Sequence, residues 1–148
     1  MGERQYVQLH PSAKRIEPIM KARILLIEDN EQNRYLVTFL LEQRCHEVVP
    51  AASGPLGLEL AAKVLPDLII LDIQLPGMDG YAVARALKSD PRLRVIPIVA
   101  VTSYAMVGDR EKVLAAGAEG YIEKPINPET FVAEIERFLR SPAEEATP

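Results

Sequence analysis

Five polar residues stand where apolar runs end. Glu28 and Asp29 follow ILLI (24–27), Asp72 follows DLIIL (67–71), Thr102 follows IVAV (98–101), and Lys124 closes the run YIEK (121–124). Neighbouring carboxylates repel, and two like charges ~4 Å apart at an effective dielectric of ~20 cost about 4 kcal/mol. Three acids gathered at one point therefore call for a cation. Oxygen ligands with few protein contacts suit Mg2+, which keeps several waters, and Mn2+ takes the same donors. A cation held this way has open positions for phosphate oxygens. Asp72 is then placed to be a nucleophile, because carboxylates form aspartyl phosphates. In phosphoryl transfer the protein mainly positions groups and neutralises charge. Lys124 supplies a positive charge for that task, and Thr102 a hydrogen bond. Taken singly, each residue has a plainer reading. An acid or a hydroxyl at a strand end caps the next helix, and a lysine there sits in water. The chemistry needs all five on one rim.

An alternation of elements supplies such a rim. Residues 23–27 read as a first strand, and residues 31–43 as a helix with Leu36, Phe39 and Leu40 at i, i+3, i+4 spacing. Residues 46–50 form a short second strand. A second helix follows the turn Ser53-Gly54 and repeats Leu56, Leu60 and Val64. Residues 67–71 form the third strand. Asp79-Gly80 opens a third helix carrying Val83, Ala84 and Leu87, and Asp90-Pro91 ends it. Residues 98–101 form the fourth strand, with Pro97 at its first position because proline lacks an N–H. Residues 105–116 form a fourth helix closed by Gly117. Residues 119–122 form the fifth strand. A last helix starts at Pro128 and turns Phe131, Ile135, Phe138 and Leu139 inward. Five βα repeats with near-continuous apolar strands imply a parallel sheet covered on both faces, an α/β fold. Such sheets bind ligands beyond the carboxyl ends of their strands, where the strand order reverses.

The bulk properties exclude several other classes. A chain of 148 residues makes one domain with a real core. The net charge is -4 with no long Lys/Arg run, which speaks against a nucleic-acid surface. No apolar run approaches the ~20 residues of a membrane span, and the N-terminus lacks a secretory centre, so a cytoplasmic protein is expected. The single cysteine, Cys45, excludes an internal disulfide. Cys45 and His46 have no third ligand nearby and read as structural rather than as a metal site or a nucleophilic pair. Residues 1–20 read as a flexible extension, with Met20 a candidate translation start. Residues 21–140 form the domain, and residues 141–148 a disordered polar tail.

The ordered set EDN (28–30), LDIQLPGMDG (71–80), AVTSYA (100–105) and YIEKPI (121–126) resembles the receiver domain of bacterial two-component response regulators. The resemblance covers about residues 22–140 and rests on four motifs in fixed order. It implies a doubly wound, flavodoxin-like and CheY-like three-layer sandwich with strand order 2-1-3-4-5. It implies that Asp72 is the phosphoacceptor and takes its phosphoryl group from a histidine on a partner. Asp29 would be a direct Mg2+ ligand, Glu28 a second acid acting through water, and the Gln74 backbone carbonyl a further ligand. Lys124 would pair with the phosphoryl group, and small Ser103 would leave it access. Thr102 would be the switch hydroxyl, and Tyr121 the aromatic that turns with it. Tyr121 also reads as a core aromatic at a strand edge, but this topology sets it on the strand adjoining Thr102. The resemblance implies a cis Lys124-Pro125 bond, where composition alone favours trans because cis is only ~5–6% of X–Pro bonds. Gln74 and Tyr104 would flank the path of hydrolytic water and tune phosphoryl lifetime.

A switch follows from these roles. A new charge of about -2 on Asp72 draws Thr102 inward, and Tyr121 follows. The surface of the fourth helix, fifth strand and fifth helix then changes its affinity for a downstream protein. Upstream, the partner would be a histidine kinase or histidine phosphotransfer protein. Neither nucleic acid nor membrane is expected as a partner, the chain would be a monomer or weak homodimer, and it would turn over no outside substrate. About eight residues after the last helix are too few for a helix-turn-helix, which favours a stand-alone, DivK-like regulator. A receiver cut from a hybrid histidine kinase is the alternative. A small Mg-dependent phosphatase is a reading of another class. The haloacid-dehalogenase-like pattern, however, needs an acid two residues after the nucleophile, where Gln74 stands. A flavin module of this topology would need a Ser/Thr/Gly-rich loop after the first strand, and EDN takes its place.

Overall fold

The three most apolar runs become the centre of one sheet. Arg23–Ile27 (β1), Leu68–Asp72 (β3) and Ile98–Thr102 (β4) lie between Glu47–Ala51 (β2) and Gly120–Glu123 (β5). All neighbours pair in parallel, in the order β2-β1-β3-β4-β5. Successive side chains of a strand point to opposite faces, so an unbroken apolar run fills two cores at once. Leu25, Ile27, Ile69, Leu71, Ile98 and Ala100 face one core; Ile24, Leu26, Leu68, Ile70, Val99 and Val101 face the other. The computed structural model describes residues 21–103 and 108–139. The expected extension, the candidate start at Met20, the tail after residue 140, Tyr104 and the expected fourth-helix start at Ala105 lie outside them.

Five helices cover the two faces among the described residues. Glu31–Gln43 (α1) and Phe131–Arg137 (α5) bury Val37, Leu41, Phe131 and Ile135 on one side. Gly54–Val64 (α2), Gly80–Ser89 (α3) and Asp109–Ala115 (α4) bury Ala61, Val83, Leu87 and Val113 on the other. The helix starts follow local chemistry. Asn30, Ser53 and Asp79 each accept a hydrogen bond from the backbone N–H three residues on, which satisfies one orphan donor of each helix.

Both spacings mark real helices, but not their most buried residues. On α1 the buried residues are Val37 and Leu41, not the set Leu36, Phe39 and Leu40. Phe39 is 47% exposed and stacks on Tyr35, with ring centroids 6.4 Å apart. The spacing i, i+3, i+4 fits either of two adjoining stripes, and packing on the sheet selects the other one. On α2 the closest approach is made by Gly54, Gly57 and Ala61, while Leu56 is exposed. Small residues let this helix sit near the sheet, and its leucines flank the contact. Boundaries also move: β2, β3 and β5 each begin one residue later than expected, and α5 begins at Phe131 rather than Pro128.

The far pole of the sheet is fastened by a histidine. His46 Nδ1 accepts the Ala22 N–H at 3.1 Å, and Nε2 meets Glu136 Oε2 at 2.8 Å. Arg44 also holds Glu136 at 3.0 Å. His46 is thus a buried structural residue joining the starts of β1 and β2 to the end of α5, and Cys45 beside it is exposed.

Candidate functional site

β1 points to β2 on one side and β3 on the other, so a crevice opens at the carboxyl ends of β1 and β3. Strand register brings the ends level: Ile27 pairs with Leu71, Asp72 with Val101, and Thr102 with Glu123. Glu28 and Asp29 leave β1 at the same height. One carboxylate oxygen from each of Glu28, Asp29 and Asp72 lies within 4.8 Å of the others. Glu28 and Asp72 are buried; Asp29 is exposed.

The turn after β1 is held from both sides. Asn30 donates its N–H to Glu28 Oε2 at 3.0 Å. Arg34, one turn into α1, reaches back to donate to the Glu28 carbonyl at 2.9 Å and the Asp29 carbonyl at 3.3 Å. Arg34 was not expected at the site; its partners are backbone oxygens, which carry no mark in a sequence. From β5, Lys124 Nζ stands 3.0 Å from Glu28 Oε1 and 3.6 Å from Asp72 Oδ2. The Lys124 N–H donates to the Thr102 carbonyl at 2.8 Å, and the Lys124-Pro125 bond is cis.

The loop after β3 fixes Asp72 itself. The Gln74 N–H donates to Asp72 Oδ1 at 3.0 Å. Gly77 takes a positive φ of 82°, a backbone region that favours glycine. The Gly80 N–H then returns to the Ile73 carbonyl at 3.0 Å. A Cβ on Gly80 would lie 2.5 Å from Ile73 Cα and 2.8 Å from the Asp72 carbonyl oxygen. Both are main-chain atoms and have no rotamer to yield. Gly80→Ala is therefore expected to cost ~1–3 kcal/mol through backbone displacement, read as a lower urea midpoint.

Burial pushes the Asp72 carboxyl up to about 7. Its hydrogen bond with Glu28 and the Glu28 charge add to the rise, against the Gln74 N–H and the Lys124 ammonium. Thr102 is buried, and its hydroxyl oxygen accepts from Gln74 Nε2 at 3.0 Å. Gln74 Oε1 accepts the Ser103 N–H at 2.9 Å. The sequence reading gave Gln74 a backbone ligand role and a place beside the path of hydrolytic water, and missed this side-chain bridge. Tyr121 stands apart. It pairs with Ala100, one step back on the face that carries Thr102, and is half-buried. It lines a groove of about 500 Å³ with Arg110, Glu111, Glu123 and Glu134. Among the described residues, no helix is long and apolar enough to cross a membrane.

Comparison with known proteins agrees with this arrangement. The family model described as the response regulator receiver domain matches residues 24–136. The polar-differentiation response regulator DivK of Brucella ovis is 42% identical over 120 residues, 81% of this chain and 98% of that one. The receiver domain of a sensor histidine kinase from Pseudomonas aeruginosa, solved with a magnesium ion coordinated in its active-site cleft, superimposes with a TM-score of 0.76. It is 32% identical and covers 82% of this chain and 100% of that one. The Vibrio cholerae chemotaxis protein CheY4 gives a TM-score of 0.76 at 30% identity, covering 80% of this chain and 99% of that one. With the strand order, the acidic crevice and more than half the chain in agreement, this protein belongs to the response regulator receiver family.

Proposed function

We propose that Asp72 accepts a phosphoryl group from a phosphohistidine on a kinase or phosphotransfer protein. One observation carries the reading: a buried carboxylate at the end of β3 has a lysine ammonium at 3.6 Å and two further acids beside it. An Asp72 oxygen attacks phosphorus, the P–N bond breaks, and the leaving imidazole takes a proton. Lys124 neutralises the incoming oxygens, and Thr102 turns its hydroxyl to one of them. Glu28, Asp29, Asp72 and the Gln74 carbonyl suit Mg2+, an all-oxygen set for a hard cation. Bound there, the ion would supply charge neutralisation at the phosphoryl oxygens. Ser103 keeps the approach open, since its side chain is small and its position exposed.

Output then passes along β4 and β5. Inward movement of Thr102 frees space on the face it shares with Tyr121, and rotation of Tyr121 remodels the groove between α4 and α5. That groove is the proposed docking site for a downstream protein, and the chain itself turns over no outside substrate. Residues 21–140 form the proposed folding unit. The DivK likeness spans nearly all of that regulator and supports a stand-alone cytoplasmic switch. The likeness to a sensor-kinase receiver supports the second reading, a domain of a hybrid kinase. The test is acetyl phosphate with Mg2+, followed by reduction with tritiated borohydride. Conversion of residue 72 to homoserine in the peptide map is expected; label on another residue overturns the assignment.

A further inference from the structure

Gln74 carries a side chain that the proposed reaction leaves unused. Its carboxamide lies across the end of β4, with Nε2 donating to Thr102 Oγ1 at 3.0 Å and Oε1 accepting from the Ser103 N–H at 2.9 Å. The orientation is dictated by its partners. A backbone N–H only donates, so the amide oxygen must face Ser103, and the amide nitrogen then faces Thr102. The main chain of the same residue holds Asp72 Oδ1 at 3.0 Å. One residue thus binds the acceptor carboxylate, the Thr102 hydroxyl at the end of β4 and the Ser103 N–H just after it.

The geometry points to Gln74 as a displaceable latch, whose carboxamide holds Thr102 and the Ser103 N–H in the unphosphorylated protein and yields them to the phosphoryl group. The inference rests on the reading of Asp72 as phosphoacceptor. Phosphoryl oxygens need donors, and the rim offers the Lys124 ammonium, the Thr102 hydroxyl and the Ser103 N–H. The Gln74 oxygen already accepts from the last of these, as a neutral stand-in for a phosphoryl oxygen. A charged acceptor forms hydrogen bonds roughly twice as strong as a neutral one, so the phosphoryl group wins the exchange. It must still displace two neutral bonds, which opposes phosphorylation by roughly tenfold. Gln74 is a positioning residue in this scheme. It sets how readily the switch leaves its resting state, apart from any effect on hydrolysis.

Beryllofluoride tests this, because it mimics an acyl phosphate without being hydrolysed. The full-length protein is titrated in Mg2+ while the Ser103 amide is followed by NMR. Gln74→Leu keeps the bulk and removes the amide. It is expected to reach half-saturation at about tenfold less beryllofluoride than the wild type. Before any addition, its Ser103 amide should exchange faster with solvent and shift upfield. Gln74→Ala should match it on both counts. Tighter binding by Gln74→Ala alone marks a steric gate and overturns the latch, as does an unchanged Ser103 amide in Gln74→Leu. A wild-type protein blind to beryllofluoride, with the Ser103 amide still altered in Gln74→Leu, overturns the phosphoacceptor reading instead and leaves the latch without its role.

Discussion

Asp72→Asn is expected to lose all phosphoryl labelling and to gain stability in metal-free buffer. The loss follows from chemistry: an amide nitrogen or oxygen is not the carboxylate nucleophile that forms an aspartyl phosphate. The gain follows from electrostatics. The Asp72 carboxyl is raised from 3.8 to about 7 in the folded protein, first by burial and then by Glu28. Between those two values the folded state holds a proton that the unfolded chain has released. Stability therefore falls as the pH rises through that window, and the full penalty is in place above about 7. A rise of about three pH units corresponds to at most roughly 4 kcal/mol. Asparagine keeps the shape and carries no charge, so the variant escapes the penalty. Thermal unfolding in EDTA at about pH 8 should show a midpoint several degrees above wild type, and at about pH 4 the two should converge. A variant less stable than wild type at the higher pH would contradict the assigned cause.

Mg2+ affinity is expected to climb about tenfold per pH unit below about 7 and to level off above it. In the proposed ligand set the ion would need Asp72 as a carboxylate, and burial beside Glu28 keeps it protonated up to about 7. Each ion bound below that pH must displace one proton, which gives the unit slope. Lys124 moderates the effect without removing it, because its ammonium already neutralises Glu28 at 3.0 Å. Calorimetric titration in two buffers of unlike ionisation enthalpy should show close to one proton released per ion near pH 6 and almost none near pH 8, in round figures. An affinity flat across that range would mean that Asp72 is ionised throughout and that the cation meets a site already prepared for it.

The central strands were legible because burial on both faces leaves polar residues only at their ends. That is why RILLI, LIILD and IVAVT stand out in the sequence. Their ends were legible only to within a residue, since pairing decides them. Asp72 belongs to β3 because it pairs with Val101, a partner no local pattern reveals. The inward side of α1 was ambiguous because Leu36–Leu40 and Val37–Leu41 are neighbouring stripes of one helix. At the site, Glu28, Asp29, Asp72 and Lys124 were conspicuous as charges following apolar runs. The Gln74 bridge was not, because its partners lie 28 and 29 residues away and depend on the path of the loop.

The His46 clasp has a consequence for everything attached to the domain. It gathers the entry to β1 and the last turn of α5 at the pole where the strands begin, whereas Asp72 lies where they end. Five strand residues at ~3.3 Å each separate the poles by about 17 Å. Lys21 and Leu139, the two ends of the described residues, therefore lie on the far side from the acidic crevice. A domain or tag fused at Lys21 or Leu139 would start from that pole and leave the crevice clear for the proposed phosphohistidine donor.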